Sequence, residues 1–244
     1  MIYTFITDSE KIENFAEKRD CHSWQPLTLI PEKILSEAEE TKNSALRYER
    51  LAAYSLLCFA SLSFFGTKIK DILRNEHGKP YASELDDDRK IYFSISHSDG
   101  LCAVMLSDEG ECGVDIQALP SQKQRERVEK RFLSAISEDL VSENDDKKSN
   151  LGESQLIFAE PSEEGFTFLH EIGDFSSVTN EEEDLFLKKW TSFEAILKCF
   201  GNGFSDASRV NLLSEGCVVS NKQFSYKYKR FGLAICRLKN SKAN

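Results

Sequence analysis

The chain has no apolar run long enough to cross a bilayer, and its richest stretch, residues 51–65, is broken by serines. No basic segment precedes the short apolar run that begins at Ile2, so that run reads as a core strand and not as a secretory signal. Paired cysteines are missing as well. The seven, Cys21, Cys58, Cys102, Cys112, Cys199, Cys217 and Cys236, are odd in number, and no two have Cys-x-x-Cys spacing. This suits reduced, buried thiols in a cytoplasmic protein better than a disulfide framework. The four histidines are scattered, which argues against a zinc site.

What is present points to a soluble fold. The 244 residues are 40% hydrophobic and include 17 Phe, enough for a sizeable core in one large domain or two small ones. The net charge of -10 is unevenly spread. Residues 138–184 hold 15 acidic and 2 basic side chains, a local charge of -13, whereas the rest carries 26 acids and 29 bases, or +3. Most of the molecule is therefore mildly basic and suited to an anionic ligand or partner. Neither nucleic acid nor membrane is expected as a partner.

Two long helices stand out. The first is predicted over 44–65, with Asn43 or Ser44 as its cap and Gly66 as its stop. The second is predicted over about 180–200 and stops at Gly201, with Thr179 and Glu182 at capping-box spacing. Between them, Ile91, Phe93, Ile95 and His97 alternate with Tyr92, Ser94, Ser96 and Ser98, a strand pattern that an Asp99-Gly100 turn carries into a second strand over 101–106. Residues 113–117 form another strand, stopped by Pro120, and 217–220, 223–228 and 232–238 read as a three-stranded meander. GLCAVML from Gly100 faintly echoes GLAICRL from Gly232. The acidic stretch is expected to be a solvated insertion, SENDDKKSN its most mobile piece, with LIFAEP and GFTFLHEI able to pair as a small hairpin.

Four short motifs carry the chemistry. In GVDIQ, alternation turns Asp115 and Gln117 to one face of a strand, and Gly113 allows another group to approach closely. In WTSFEAILKCFGNG, Glu194 and Lys198 share a helix face, with Trp190 one turn earlier. HGKPY displays Lys79 before Pro80 in a turn, and FSISHS ends a strand in hydroxyls and one imidazole. Taken singly, each has a plain structural explanation: a short strand, an exposed ion pair, a turn, a satisfied histidine.

Taken in order, HGKP, FSISHS, GVDI and W-x-x-x-E-A-x-x-K followed by G-x-G resemble the 4′-phosphopantetheinyl transferase family of the larger, single-chain type. PEK at residues 31–33 and Arg50 fit that family's N-terminal half, so the resemblance runs from about Pro31 to Gly203 with a gap at the acidic stretch. It implies an α/β (α+β) fold of two pseudo-symmetric subdomains, each a small sheet packed on a long helix, with the active site in the cleft between them. The halves would be residues 1–111 and 112–244, the second carrying the acidic insertion at about 138–184.

The activity implied is transfer of the phosphopantetheine arm of coenzyme A to a serine of an apo acyl or peptidyl carrier protein, by a monomer, with magnesium (or manganese in its place) as the ion. By the same similarity Asp115 and Glu194 would hold the metal with Gln117 beside them, and Lys198 would offset phosphate charge. Lys79, Pro80, Ser96 and His97 match positions for the adenine and 3′-phosphate end, and Arg50 and Lys33 match basic positions that grip phosphates. Glu194 would accept the serine proton, directly or through a metal-bound water.

Three departures from the family stand out. Gln117 occupies a position where many relatives have glutamate, and Phe193 one where many have lysine. The spacing from Phe132 to Trp190 is long, and the acid that often follows the RFLS motif is either Glu138 or absent. Three rivals stand beside the transferase reading: a coenzyme A- or carrier-binding protein that no longer catalyses, a magnesium-dependent hydrolase with water in place of the serine, and a purely structural reading that explains the helices and strands but not the clustering of motifs.

Overall fold

Phe5 and Ile6 are neighbours on the first strand, both fully buried, and alternation sends them to opposite faces. A strand buried on both faces needs a layer on each side, and the fold supplies them. The computed structural model describes residues 1–17, 24–133, 155–169 and 180–239. In chain order the elements are β1 (Ile2–Asp8), α1 (Ser9–Glu17), α2 (Gln25–Thr28), α3 (Glu32–Glu39), α4 (Ser44–Phe65), β2 (Ile69–Arg74), β3 (Pro80–Leu85), β4 (Tyr92–Ser98), β5 (Leu101–Ser107), β6 (Cys112–Ala118), α5 (Gln122–Arg131), β7 (Gln155–Ser162), β8 (Gly165–Leu169), α6 (Glu181–Phe200), a 3-10 stretch (Gly203–Arg209), α7 (Val210–Glu215), β9 (Cys217–Tyr226) and β10 (Lys229–Leu238).

The fold is α+β. A five-stranded mixed sheet runs β4-β5-β1-β7-β8, a three-stranded sheet runs β6-β10-β9, and β2 pairs with β3 as a separate ribbon. Phe5, Phe93, Val104 and Ile157 of the larger sheet pack with Leu56, Leu57 and Ala60 of α4. On its other face, Ile6, Ala103, Met105 and Phe158 meet Val114, Ile116, Phe231 and Leu233 of the smaller sheet. The far side of the smaller sheet presents Ala234 and Cys236 to Phe186, Phe193 and Ile196 of α6. The order of layers is therefore helix, sheet, sheet, helix. The two echoed segments lie on β5 and β10, an interior strand of each sheet.

Local signals were reliable at the ends of the long helices. Asn43 caps α4 by accepting from Leu46 N, and Gly66 closes it in the left-handed region at φ 65°. Gly201 closes α6 in the same way. The capping box expected from Thr179 and Glu182 is corrected by one residue: the cap is Asn180, whose side chain accepts from Glu183 N. Thr179 itself lies outside the described residues. The Asp99-Gly100 turn is present, both residues having positive φ, as a two-residue hairpin requires.

Two expectations change. The C-terminal meander is a hairpin of two ten-residue strands, because β9 runs unbroken from Cys217 to Tyr226 in register with β10. The hairpin within the acidic stretch is not a solvated insertion. β7 pairs in parallel with β1, Tyr3 opposite Gln155 through Ile6 opposite Phe158, and Ile157 and Phe158 are buried. Burying those apolar side chains outweighs the acidity of the surrounding sequence. The SENDDKKSN piece lies outside the described residues.

The seam between the sheets positions the site. β4 and β6 are edge strands of different sheets. Ser94 Oγ accepts from Val114 N at 3.0 Å and Ser98 Oγ from Ala118 N at 3.0 Å. Alternate serines of β4 thus satisfy amides of β6 that no neighbouring strand reaches. Ser94→Ala, which strips the acceptor from a buried amide, is expected to cost about 1–3 kcal/mol in chemical denaturation. An unchanged midpoint would mean that the seam does not rest on these bonds.

Candidate functional site

Asp115 sits mid-way along β6, with 3% of its surface exposed, on the face that looks at α6. The helix comes close because β6 carries Gly113, where a Cβ would stand 2.0 Å from Ala195 O and 2.6 Å from Cys199 N. The close approach expected of Gly113 is thus that of the α6 backbone. Glu194 and Lys198, one turn apart on α6, then face Asp115.

Lys198 Nζ is 2.6 Å from Asp115 Oδ1 and 3.9 Å from Glu194 Oε2. Ser96 Oγ completes a triangle, donating to Asp115 Oδ1 at 2.8 Å and accepting from Lys198 Nζ at 2.8 Å. Burial, and then the Asp115 carboxylate, push the Glu194 carboxyl up to about 7, while Lys198 pulls it back. Asp115 Oδ2 is buried without a hydrogen-bond partner. Two facing carboxylates, one of them with an orphaned oxygen, suit a divalent cation. Among the described residues no group of three or more His, Cys, Asp or Glu gathers to hold a metal. A pair of carboxylates is nevertheless the number magnesium takes when phosphate and water fill its other positions. Gln117, two residues on, gives its amide N–H to Ala118 O at 2.8 Å and to Ser98 Oγ at 3.2 Å. Its amide therefore serves the inter-sheet seam, and Gln117 does not line the pocket beside Glu194 and Lys198.

A pocket of about 270 Å³ opens beside Glu194 and Lys198, bounded by the β2–β3 turn, β4 and the loop after α6. Lys79, Pro80, Ile95, Leu197 and Phe204 line it, and Phe204 is half exposed at its rim. Phe204 belongs to an aromatic group with Phe132, Trp190 and Phe193. Phe193 is fully buried there. Its side chain packs in the core and does not line the pocket.

Lys79 lines the pocket with its stem, but its ammonium is committed elsewhere. It pairs with Glu111 and donates to Cys199 O at 3.1 Å and Cys112 O at 3.4 Å. A cation on the last carbonyls of α6 is favoured by the helix dipole. Asn75 reinforces the same junction by donating to Gly201 O at 2.8 Å while holding the amide of Lys79. Asn75 and Glu111 were not singled out from sequence. The only signal for Asn75 was its place in a turn ahead of Gly78, and Glu111 carried none. Lys79→Met should keep the stem over Gly201 and strand Glu111, lowering stability by about 1–2 kcal/mol in a thermal melt without ligand. A melting temperature equal to wild type would free Lys79 from this structural role.

The remaining candidates stand apart from the carboxylates. Ser96 points to Asp115, and His97, the next residue, points to the other face of β4, where its Nδ1 is 2.8 Å from Glu49 Oε2 on α4. Arg50 donates to Thr41 Oγ1 at 3.0 Å. Lys33 is exposed on α3 and does not line the pocket. Glu138 and Cys21 lie outside the described residues, and the other six cysteines are free and buried. Among the described residues no helix is long and apolar enough to cross a membrane. No family model matches the chain, and no curated protein matches it.

Proposed function

We propose that the protein transfers 4′-phosphopantetheine from coenzyme A to a serine hydroxyl of an apo acyl or peptidyl carrier protein, releasing 3′,5′-ADP. One observation carries this reading above the others. The Asp115–Glu194 pair, with its orphaned oxygen and its lysine, lies at the side of a pocket whose wall is the Gly-Lys-Pro turn. Residues of the HGKP, FSISHS, GVDI and W-x-x-x-E-A-x-x-K motifs come together there.

The chemistry asked of the chain is positioning and proton transfer. Glu194 lines the pocket one turn from Lys198, and a carboxylate so placed is suited to take the proton of an attacking hydroxyl, which assigns that task to it. The serine oxygen forms a bond to the β-phosphorus as the bond to the leaving 3′,5′-ADP oxygen breaks. Lys198, held by Asp115 and Ser96, lines the pocket and stabilises negative charge on the phosphates. Asp115 and Glu194 would hold magnesium, with Gln117 beside them, and the ion would draw charge from the transferring oxygens. Leu197, Pro80 and Phe204 give the pocket apolar lining.

The non-catalytic rival rests on Gln117 and Phe193, and Phe193, buried in the core, supplies no charge to the pocket. The hydrolase rival differs in what it needs. Release of 3′,5′-ADP from coenzyme A and Mg²⁺ is followed with and without an apo-carrier. Release only with the carrier supports transfer; equal release without it means hydrolysis; none in either case leaves a binding protein.

A further inference from the structure

His97 sits two residues beyond Ile95 on the same face of β4, about 7 Å farther along the strand. Ile95 lines the pocket, so a ligand longer than the pocket, lying along β4, comes next to His97. The imidazole is partly exposed, and what holds it is buried. Glu49, on α4, has a side chain only 13% exposed, and each of its carboxylate oxygens has a separate partner. Oε2 takes His97 Nδ1 at 2.8 Å, and Oε1 accepts from Gly100 N, also at 2.8 Å. Both anchors lie on the β4–β5 hairpin, one on a strand and one in its turn. The carboxylate cannot rotate without losing one of them, so it fixes the plane of the ring as well as its distance. Burial raises the Glu49 carboxyl, yet the bonds from His97 and Gly100 outweigh that and hold it below its usual range. The group is thus ionised at neutral pH and accepts from Nδ1–H.

We propose that Glu49 is a positioning residue: it orients His97 so that Nε2 faces outward, as a donor to an anionic group at the far end of the ligand in the pocket. This rests on the coenzyme A reading of that pocket, and the anionic group is then the 3′-phosphate. With the carboxylate accepting at Nδ1 and a phosphate accepting at Nε2, the ring donates at both ends. Among the described residues no other charged group is paired with the ring: Asp99, in the adjoining turn, is engaged by Lys229, and Arg50, next to Glu49 on α4, donates to Thr41.

The test uses the full chain, its Glu49→Gln variant and its Glu49→Asp variant, titrated calorimetrically with coenzyme A and with dephospho-coenzyme A. Glu49→Gln is expected to weaken coenzyme A by about 10-fold, the effect of losing one charge-assisted orienting bond, and dephospho-coenzyme A by less than about 2-fold. Glu49→Asp, which keeps the charge but is shorter, should fall between. Imidazole ¹⁵N spectra give a readout that simple loss of stability would not move: the His97 signals should report Nδ1 protonated in the wild type and a mixture of ring states in Glu49→Gln. Equal losses on the two ligands, or unchanged ¹⁵N signals, would overturn the role of Glu49 alone. A wild-type protein that binds neither ligand would overturn the coenzyme A reading and this inference with it.

Discussion

Glu194→Gln is expected to reduce carrier modification by at least about 100- to 1000-fold while making the ligand-free protein more stable above neutral pH. The two halves of this result have one cause. Burial and the nearby Asp115 carboxylate raise the Glu194 carboxyl from the ordinary range to about 7. Between that range and pH 7 the folded protein keeps a proton that the unfolded chain has already released. The contribution of this group to stability is therefore fully present at low pH and is lost as pH rises through about 7. Glutamine never ionises, so the variant escapes that loss. Allowing for the partial exposure of the side chain, the gain is on the order of 1–2 kcal/mol at pH 8, or roughly 2–4 °C in melting temperature per kcal/mol. The activity falls because the amide cannot accept the serine proton and holds a metal without charge. Melting curves at pH 5 and pH 8 check the first half; the variant should gain at pH 8 and not at pH 5. A variant destabilised at both would mean that Glu194 is structural.

Gly113→Ala is expected to be among the most damaging single changes in the molecule. The new Cβ would stand 2.0 Å from Ala195 O and 2.6 Å from Cys199 N, both backbone atoms of α6. A side chain can turn away from such a contact, but a helix has to lift off the sheet. The cost is put at about 3 kcal/mol or more, and Glu194 and Lys198 move with the helix away from Asp115. Gly232→Ala offers a graded comparison, because its nearest neighbours are Leu187 Cβ at 3.0 Å and Thr191 Cγ2 at 3.1 Å. Denaturant midpoints should rank wild type above Gly232→Ala above Gly113→Ala. If Gly113→Ala melted like the wild type, the tight seating of α6 on β6 would be refuted.

How much of this was visible in the sequence depends on the range of the interaction responsible. Asn43, Gly66 and Gly201 act within a turn of their own helices, and the ends of α4 and α6 followed from them directly. Asp99-Gly100 is equally local. The face shared by Glu194 and Lys198, and the close approach at Gly113, follow from helix and strand periodicity. The parallel pairing of β7 with β1 is not local: about 150 residues separate the partners, and the acidic sequence around β7 pointed to solvent. Hydroxyls at Ser94, Ser96 and Ser98 were visible, but their division into two seam bonds and one bond to Asp115 depends on which strand lies opposite. Lys79 shows the same limit. Its position in a Gly-Lys-Pro turn was plain, whereas the engagement of its ammonium with Glu111 and the end of α6 follows only from how the β2–β3 turn packs against α6.

The central claim is tested most directly by intact mass spectrometry of purified apo-carriers, of fatty-acid, polyketide and peptide-synthetase type, after incubation with the protein, coenzyme A and Mg²⁺. The account predicts that at least one carrier gains the mass of a single phosphopantetheine group, that 3′,5′-ADP appears in equal amount, and that Asp115→Asn removes both. Carriers that all keep their apo mass, with wild-type protein shown to be folded, would contradict it.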